Sequence, residues 1–507
     1  MFKKILVFLL TVATVLMSIS IFSSVYALAP LISPKPTGDG YQEYLHLIPV
    51  FKVKDSGEGV NTLEVSFYLK NDGDPVDLTF NTSQKFDYFI EGDGFSYHFA
   101  DGKVFLQVIT PLHIGKGQKV YLGSDTVKIK DGIYSFRAIL MAGKKVEVRG
   151  KLKVENGKAV FISDKDVMSG IRLFADVSSF AVADGDNVVF DVYLKNTLST
   201  TVSIHSASLT VDILGGHGSY MAYTSAYDSG KSLKVIPFSG SLAPGESVKI
   251  ATFVWDQSAN VRTGMGGSAP TYTKTMGYQP TVGTRYLPYY IVMVKNTDIV
   301  LSVSGLDWTI PRASLRLTFP IYRQDEMKYE NIPDWLHNYL EGIKGYIIPE
   351  AKSGIDMSMP ATRRQVMFGV FLASGLKPVS VYGYAFSDIR RYDYMESILE
   401  ALKNYGIVKG YPDGSVKLSS NITRAETVAL MIRTMENVFG AKFDLMRRAC
   451  RVYKDVSGNE WYTKYVCYAD WVGLISGYPD GTFKPQNNVK VSEFAKMLSI
   501  FKKAVGR

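Results

Sequence analysis

The sequence of 507 residues predicts a multidomain protein in which two all-β sandwiches precede an all-α bundle of three helix-loop-helix repeats. Short runs that alternate apolar and polar residues fill the N-terminal half, separated by Gly, Asp and Pro, as in antiparallel strands. In the C-terminal third, the pentapeptide GYPDG occurs at 410–414 and again at 477–481. A long-period repeat flanked by apolar residues at helical spacing indicates a helical unit that is used more than once.

The N-terminus has the pattern of a secretory signal peptide. Lys3 and Lys4 precede an apolar run over 5–21, and small residues follow up to Ala27. A charged start, an apolar middle and a small-x-Ala end predict that residues 1–27 are a signal peptide, cleaved after Ala27. Because the apolar run approaches the roughly 20 residues that cross a bilayer, a retained N-terminal anchor is the alternative.

Composition and charge narrow the range of partners. The net charge of +9 favours contact with anionic wall polymers or a membrane surface outside the cell. No Lys/Arg cluster coincides with a nucleic-acid motif, so we do not expect nucleic acid as a partner. The two cysteines, Cys450 and Cys467, predict one disulfide in an oxidising compartment, and two buried thiols are the alternative.

The first strand-rich region extends over 41–155. In its segment 61–71 the apolar residues alternate with polar ones and share one face: Leu63, Val65, Phe67 and Leu69. The tetrapeptide YLKN ends this segment and recurs at 193–196, and a Gly-containing hairpin follows each copy. We therefore expect two consecutive immunoglobulin-like sandwiches, over 41–155 and 170–305.

These two regions contain no residue pattern typical of catalysis. Histidines at 98, 113, 205 and 217 are scattered, without the paired spacing of a zinc site. Asp72, Asp74 and Asp77 could hold a cation such as Ca²⁺, but the intervening Gly and Pro favour a plain turn. We expect a protein that is not an enzyme and that needs no metal or cofactor.

The first region resembles the BsuPI-type domain, a family named after an intracellular proteinase inhibitor. The stretches that carry the resemblance are YLKNDGDPVDLTF, SQKFDYFIEGDGFSYHFADGKVF, LHIGKGQKVYL and DGIYSFRAIL. Within them, Gln84, Asp87, Tyr97 and Phe105 match positions of the family pattern. The resemblance covers about 100 residues and implies a sandwich fold, with inhibition of a proteinase as one possible activity.

Each C-terminal unit has the features of helix, turn and helix. Thr423 and Glu426 have the spacing of a capping box at the start of the second helix, and Thr362 and Gln365 repeat it. Arg424 occupies the first turn of that helix, where the macrodipole disfavours a cation. It is either a solvated surface residue or part of an anion-binding corner formed with free helical amides.

These units closely resemble the S-layer homology (SLH) family. Phe386, Asp388, GYPDG and ITRAE carry the resemblance in one unit, and Tyr453, Asp455, Trp461, GYPDGTFKP and Glu493 carry it in the next. We assign SLH repeats to 384–440 and 450–505, and a degenerate repeat to 320–378. The resemblance implies a pseudo-threefold bundle whose grooves bind anionic, commonly pyruvylated, cell-wall polysaccharide.

Carried onto this chain, the family pattern implies a set of polysaccharide-binding residues: Arg424, Arg363, Gly410, Tyr411, Gly477, Tyr478, Trp461, Trp335 and Lys490. The arginines would pair with an acidic substituent, the glycines would let backbone approach the sugar, and the tryptophans would stack on sugar rings or pack in the core. The last unit departs from the pattern, since Lys490 and Val491 replace Thr and Arg.

The sequence therefore predicts an exported, non-catalytic protein of the cell envelope or surface layer. Its SLH repeats would bind cell-wall polysaccharide, either a secondary wall polymer or modified peptidoglycan, and its sandwiches would be displayed outward. Self-association in a surface layer is a further possibility. The alternative is a wall-tethered inhibitor of extracellular proteinases that acts through the first sandwich.

Overall fold

The computed structural model describes most of the chain that follows the N-terminal segment. The described residues are 44–57, 59–92, 94–143, 146–182, 187–217, 234–235, 238–256, 286–323, 327–347, 354–390, 393–443 and 453–506. The predicted signal peptide, residues 1–27, lies outside these ranges, as does Cys450.

The first strand-rich region is a β-sandwich, as predicted. Its strands are β1 (Leu45–Gly57), β2 (Val60–Asn71), β3 (Val76–Phe80), β4 (Phe86–Gly92), β5 (Phe95–His98), β6 (Thr110–Ile114), β7 (Lys119–Lys130), β8 (Gly132–Leu140), β9 (Glu147–Glu155) and β10 (Lys158–Ser163). They form sheets in the orders β1-β2-β7, β10-β9-β8-β4-β5 and β3-β6. These sheets enclose one hydrophobic core.

The alternation in β2 supplies the centre of that core. Leu63, Val65, Phe67 and Leu69 are fully buried, which confirms the face predicted from the sequence. Phe67 stacks on Phe86 of β4 with ring centroids 4.1 Å apart, so the two sheets are joined by aromatic contact. Burial of each such side chain stabilises the fold by about 1.5–3 kcal/mol.

A short helix and a second strand-rich region follow. The helix α1 spans Asp164–Gly170, and the strands are β11 (Ile171–Val177), β12 (Ala181–Val182), β13 (Asn187–Asn196), β14 (Val202–Ala207), β15 (Leu209–His217), β16 (Lys234–Val235), β17 (Phe238–Leu242), β18 (Ser247–Asp256), β19 (Tyr286–Asn296), β20 (Ile299–Val303), β21 (Leu306–Ile310) and β22 (Arg316–Arg323). Three four-stranded sheets form, in the orders β11-β13-β18-β16, β12-β22-β19-β15 and β17-β14-β20-β21. Because β21 and β22 pair with β20 and β19, these sheets continue past residue 305 to Arg323.

Both regions share a buried asparagine where a strand leaves its sheet. Asn71, which ends the first YLKN, donates from Nδ2 to the Ile114 carbonyl at 3.1 Å. Asn196, which ends the second, donates to the Leu242 carbonyl at 3.0 Å. Asn296 ends the tetrapeptide MVKN, which shares too little with YLKN to be identified from the sequence as a third copy. Its amide donates to the Pro311 carbonyl at 2.8 Å. Each amide supplies the hydrogen bonds that the turning backbone needs in a buried place.

The C-terminal region contains short strands and helices. They are β23 (Tyr329–Glu330), α2 (His337–Leu340), β24 (Ile355–Asp356), α3 (Arg363–Ser374), α4 (Glu396–Asn404), α5 (Arg424–Phe439), α6 (Thr463–Trp471) and α7 (Val491–Ala504), with 3₁₀ turns at Asp334–Leu336 and Glu341–Ile343. The predicted all-α bundle of three helix-loop-helix repeats is therefore wrong. Among the described residues the chain is mostly β-sheet with seven α-helices. The C-terminal region also contains β-pairing, formed by turn-rich segments whose sequences resemble loops.

The second sandwich is fastened to α4 by buried ion pairs. Arg316 of β22 donates to Glu396, with Nη2 and Oε1 2.8 Å apart, and the carboxylate is fully buried. Arg172 of β11 lies 3.4 Å from Glu400, one helical turn further on. The segment before α4 extends the contact, because the Val381 amide donates to the Arg316 carbonyl at 2.8 Å. The sandwich and α4 are thus packed as one body.

A histidine links β5 to two carboxylates in the first sandwich. His98 contacts Asp87 through Nε2 at 2.9 Å and Asp101 through Nδ1 at 2.7 Å. The hydrogen bond with Asp87, followed by that with Asp101, raises the pKa of His98 above its usual value although partial burial opposes the rise. The protonated form of His98 is therefore the one that the fold stabilises.

We predict that Arg316→Ala lowers the free energy of unfolding by about 3–5 kcal/mol, because Glu396 stays buried after its cation is lost. Urea denaturation followed by tryptophan fluorescence measures the loss. The control is Lys249→Ala, which breaks a more exposed pair with Asp191 and costs below about 1 kcal/mol. Equal losses in the two variants would contradict the role given to the buried pair.

We also predict that His98 makes the first sandwich more stable in mild acid. Because its pKa is higher in the folded than in the unfolded protein, the stabilisation is complete below about pH 6.5 and is lost as the pH rises through the folded value. Thermal melting of the wild type should therefore decline more steeply above pH 6.5 than that of His98→Gln. Parallel pH profiles for the two proteins would refute the prediction.

Candidate functional site

The starts of α3, α5 and α7 meet in a closed ring of backbone hydrogen bonds. The Ala361 amide donates to the Val489 carbonyl at 2.8 Å, Val489 donates to Ile422 at 3.0 Å, and Ile422 donates to Ala361 at 3.1 Å. Each of these residues lies two positions before its helix begins. We call this arrangement the helix-start ring.

The ring also occupies the first amides of each helix. The first two amides of α3, α5 and α7 donate to carbonyls of a neighbouring loop: Arg363 to Ser420, Arg364 to Leu418, Arg424 to Asn487, Ala425 to Pro485, Val491 to Met359 and Ser492 to Met357. In α3 and α5 the third amide donates to the cap threonine, which confirms both predicted capping boxes. Within the part of the chain that the structure describes, the starts of α3 and α5 thus have no free amide of the kind that the anion-binding corner requires.

The two motif arginines point from one helix start to the next. Arg363 is 7% exposed and its Nη1 lies 2.8 Å from Oε1 of Glu426, the capping-box residue of α5. Arg424 is 4% exposed and its Nη1 lies 3.0 Å from Oε1 of Glu493 in α7. Each guanidinium also donates from Nε to a backbone carbonyl of the loop beside it. The structure gives both arginines a role in joining helices, and their contact with polysaccharide stays a prediction.

The third side of the ring is neutral. At the position of the arginines α7 has Val491, which is buried, and the capping-box position of α3 has Gln365 in place of Glu. The cyclic order of the two ion pairs, α3 to α5 and α5 to α7, would bring Val491 of α7 towards Gln365 of α3, so the missing cation and the missing carboxylate belong to the same side of the ring. The paired replacement of Arg by Val491 and of Glu by Gln365 is visible in the sequence. It can be recognised as a pair only when the start of each helix is known to contact the start of the next one around the ring.

The GYPDG loops pack against the same ion pairs. The Tyr411 hydroxyl donates to Glu426 at 3.2 Å and the Tyr478 hydroxyl donates to Glu493 at 2.6 Å. Burial, and then the hydrogen bond to Glu493, raises the pKa of Tyr478 to about 12. Each ring lies between a buried arginine and a lysine, with Lys484 Nζ 4.3 Å from the centroid of Tyr478.

Gly410 and Gly477 leave room for an aromatic ring of the protein. A Cβ added at Gly410 would lie 2.7 Å from the Phe386 ring, and one at Gly477 would lie 2.3 Å from the Tyr453 ring. Both aromatic residues open their own repeat, so the glycine lets the repeat close on itself. Any contact of these glycines with a ligand stays a prediction.

Both predicted tryptophans lie at the surface, each in a cluster that contains a tyrosine and at least one cation. Trp461 is 52% exposed, and its ring is 6.4 Å from that of Tyr465 in α6. Tyr465 in turn lies 5.0 Å from the guanidinium of Arg433 and 4.7 Å from the ammonium of Lys464. We call these four residues the α5–α6 patch. Burial raises the pKa of Tyr465, but the hydrogen bond from Arg433 and the two positive charges outweigh burial and lower it overall.

A second patch joins α2 and α7. Trp335 is 48% exposed, and the Lys496 ammonium lies 5.9 Å from its ring and 5.6 Å from the ring of Tyr339. We call these three residues the α2–α7 patch. Lys490, the remaining predicted binding residue, is exposed at the start of α7, where its amide donates to Glu493 at 3.0 Å. An ammonium group cannot accept a hydrogen bond, so α7 has only this half of a capping box.

The remaining sequence predictions concern cysteines, metals and membranes. Cys467 of α6 is disulfide-bonded, and Cys450, the other cysteine of the chain, lies outside the described residues. In the part of the chain that the structure describes, no cluster of His, Cys, Asp and Glu could hold a metal ion. Asp72 and Asp77, suggested as cation ligands, pair with Lys70 and His113. Over the same residues, none of the helices combines the length and the apolar character needed to cross a bilayer.

We predict that the charged sides of the ring can be neutralised as a pair. Arg424→Val alone leaves a partly buried carboxylate without its cation and should cost about 3 kcal/mol of unfolding free energy. Combination with Glu493→Gln recreates the neutral Val491–Gln365 side, so the double variant should lose at least about 1 kcal/mol less than the sum of the single losses. Chemical denaturation of the four proteins tests this, and strictly additive losses would refute the pairing.

Two family models match parts of the chain, one in the C-terminal region and one in the first sandwich. The model of the S-layer homology domain matches residues 385–428 and 452–495, and that of BsuPI, intracellular proteinase inhibitor, matches 51–145. The SLH matches contain α4 with the start of α5, and α6 with the start of α7. The segment predicted as a degenerate repeat, 320–378, is not part of either match, although its helix α3 completes the helix-start ring.

Several curated proteins are similar to part of the chain. Cell surface glycoprotein 1 of Acetivibrio thermocellus is 28% identical over 31% of this chain and 7% of its own length. Middle cell wall protein of Brevibacillus brevis is 34% identical over 20% of this chain and 10% of its own length. The cellulosome-anchoring protein of Acetivibrio thermocellus is 32% identical over 20% of this chain and 22% of its own length. The matched segments are thus small parts of much longer proteins.

A solved structure, that of red sea bream transglutaminase, aligns with 55% of this chain and 31% of its own at 8% identity. Its TM-score of 0.17 is too low to support any argument about fold or function. The SLH matches and the cell-surface relatives indicate an extracellular, cell-surface location. The chain therefore carries two S-layer homology domains towards its C-terminus and a BsuPI domain towards its N-terminus.

Proposed function

We propose that this chain is a non-catalytic cell-envelope protein that is anchored to anionic, pyruvylated cell-wall polysaccharide by its C-terminal region. The two sandwiches are displayed from this anchor. The names of several relatives, among them an S-layer protein of Bacillus licheniformis and the cellulosome-anchoring protein, support a role in attachment or surface-layer assembly. Self-association of the chain in a surface layer belongs to the same proposal.

The observation that carries the proposal is the pair of exposed aromatic and cationic patches. In the α2–α7 patch the half-exposed indole of Trp335 lies 5.9 Å from the Lys496 ammonium. In the α5–α6 patch the half-exposed indole of Trp461 lies beside Tyr465, whose ring contacts the cations of Arg433 and Lys464. A flat apolar face suits the ring of a sugar, and a neighbouring cation suits its carboxylate substituent. These features support polysaccharide recognition at the patches, while the buried arginines join the starts of α3, α5 and α7.

The buried ion pairs between the second sandwich and α4 suit an anchor. Arg316 and Arg172 fasten the second sandwich to α4, so force on the displayed part passes to the repeats through buried ion pairs. The predicted binding residue Lys490 adds an exposed positive charge near the helix-start ring. Attraction of these cations to an acidic polymer is screened by salt, so binding should weaken at high ionic strength.

We predict that the full-length protein sediments with purified cell-wall sacculi and that Trp461→Ala weakens this binding. Loss of one stacked ring, at about 1 kcal/mol, corresponds to roughly a fivefold weaker affinity. The matched control is Trp471→Ala, which removes an exposed tryptophan at the C-terminal end of α6, whereas Trp461 precedes the start of that helix. Sacculi from which the pyruvyl groups have been removed should retain less of the wild type. Equal sedimentation of both variants would refute the assignment of the α5–α6 patch.

A second candidate function is inhibition of an extracellular proteinase by the first sandwich. The match to the BsuPI family model covers most of this sandwich. The structure adds a specific feature in favour, since an apolar loop between β5 and β6 is strongly exposed. In this account the C-terminal region tethers the inhibitor to the wall.

A further inference from the structure

The loop between β5 and β6 exposes more apolar surface than its neighbourhood explains. Four large apolar side chains lie within six residues, and their exposed fractions are 94% for Val104, 71% for Leu106, 46% for Val108 and 73% for Ile109. Segment 104–109 contains no charged residue. A concentration of apolar side chains in water marks a contact surface rather than chance exposure.

The loop is held by the sandwich at its middle and its beginning. Ser83, in the turn before β4, donates from its amide to the Leu106 carbonyl and accepts from the Leu106 amide through Oγ, both at 2.9 Å. Phe105 turns inward and lies 5.9 Å from the ring of Phe99. Lys103 lies over Phe99 and donates to Asp125 at 3.1 Å. The exposed side chains are therefore presented on a fixed support, which reduces the entropy lost on binding.

The backbone on either side of Leu106 is available to a partner. Within the described ranges, the amides of Val104, Phe105 and Gln107 have no acceptor in the protein. Free amides between exposed apolar side chains are the features by which an extended segment is recognised, since the partner pairs with the backbone and takes up the side chains in pockets. A membrane would leave these amides without acceptors at a cost of several kcal/mol each, so the loop is poorly suited to insertion in lipid.

We infer that segment 104–109 is the part of the first sandwich that enters the substrate cleft of an extracellular proteinase whose pockets accept apolar side chains. The inference rests on the second candidate function, inhibition of a proteinase, and assigns to it a contact segment and a class of enzyme. The convex loop needs a concave partner, and proteinases bind their substrates as extended segments with side chains in pockets. Because 104–109 lacks charge, a pocket that selects Lys or Arg would not be filled.

The test measures inhibition by the full-length protein of subtilisin and chymotrypsin, which favour apolar residues, and of trypsin, which favours cationic ones. Wild type should inhibit one or both of the first two enzymes and spare trypsin. The variant that combines Val104→Ser, Leu106→Ser, Val108→Ser and Ile109→Ser should raise the inhibition constant by about thirtyfold or more. The matched control combines Val50→Ser, Val60→Ser, Ile133→Ser and Val160→Ser, four exposed positions elsewhere in the same sandwich, and thermal melting verifies that both variants fold.

The possible outcomes test the contact segment and the inhibitor function separately. Inhibition by wild type that the loop variant retains would overturn the contact segment and leave the inhibitor function standing. Failure of wild type to inhibit any of the enzymes would overturn both, without affecting the sedimentation experiment that tests the anchor. Cleavage inside 104–109 with rapid loss of inhibition would show a substrate, not an inhibitor. Loss of self-association or of vesicle binding in the loop variant, with inhibition unchanged, would assign the loop to a second copy or to lipid.

Discussion

The C-terminal region depends on the backbone ring that joins Ala361, Val489 and Ile422. These three bonds set the starts of α3, α5 and α7 side by side, and only then can Arg363 and Arg424 reach the carboxylates of the following helices. Buried arginines would destabilise the fold without these partners, since an unpaired charge in the interior costs several kcal/mol. Each exposed patch occurs where one helix of the ring, α5 or α7, packs against a helix outside it, α6 or α2.

The ring explains why residues that look like ligand contacts in the sequence have structural roles. A helix start that already donates its amides to loop carbonyls cannot also attract an anion with them. Gly410 and Gly477 likewise make room for the aromatic residues of their own repeats. Side chains exposed at the seams, such as Trp461, are not engaged in this way, and our proposal therefore assigns recognition to them.

Local patterns in the sequence predicted local structure well. Alternation identified the buried face of β2, and the spacing of Thr423 and Glu426 identified a capping box, because both depend on residues a few positions apart. The partners of Arg424 could not be found in this way, since Glu493 lies 69 residues further along the chain. The all-α expectation failed for the same reason, because the strands and β-bridges that tie the repeats together pair segments whose own sequences resemble loops.

The helix-start ring limits where the C-terminal region can be cut from the rest of the chain. The family matches begin at residue 385, but α3, which starts at Arg363, supplies one of the three members of the ring. A fragment excised at the family boundary would expose the Ile422 amide and Val489 carbonyl to solvent and would strip Glu426 of its cation. Its α4 would also lose Arg316 and Arg172 as the counterions of two carboxylates. We therefore expect the smallest stable unit of the C-terminal region to include the second sandwich, so that the repeated sequence is shorter than the unit that folds.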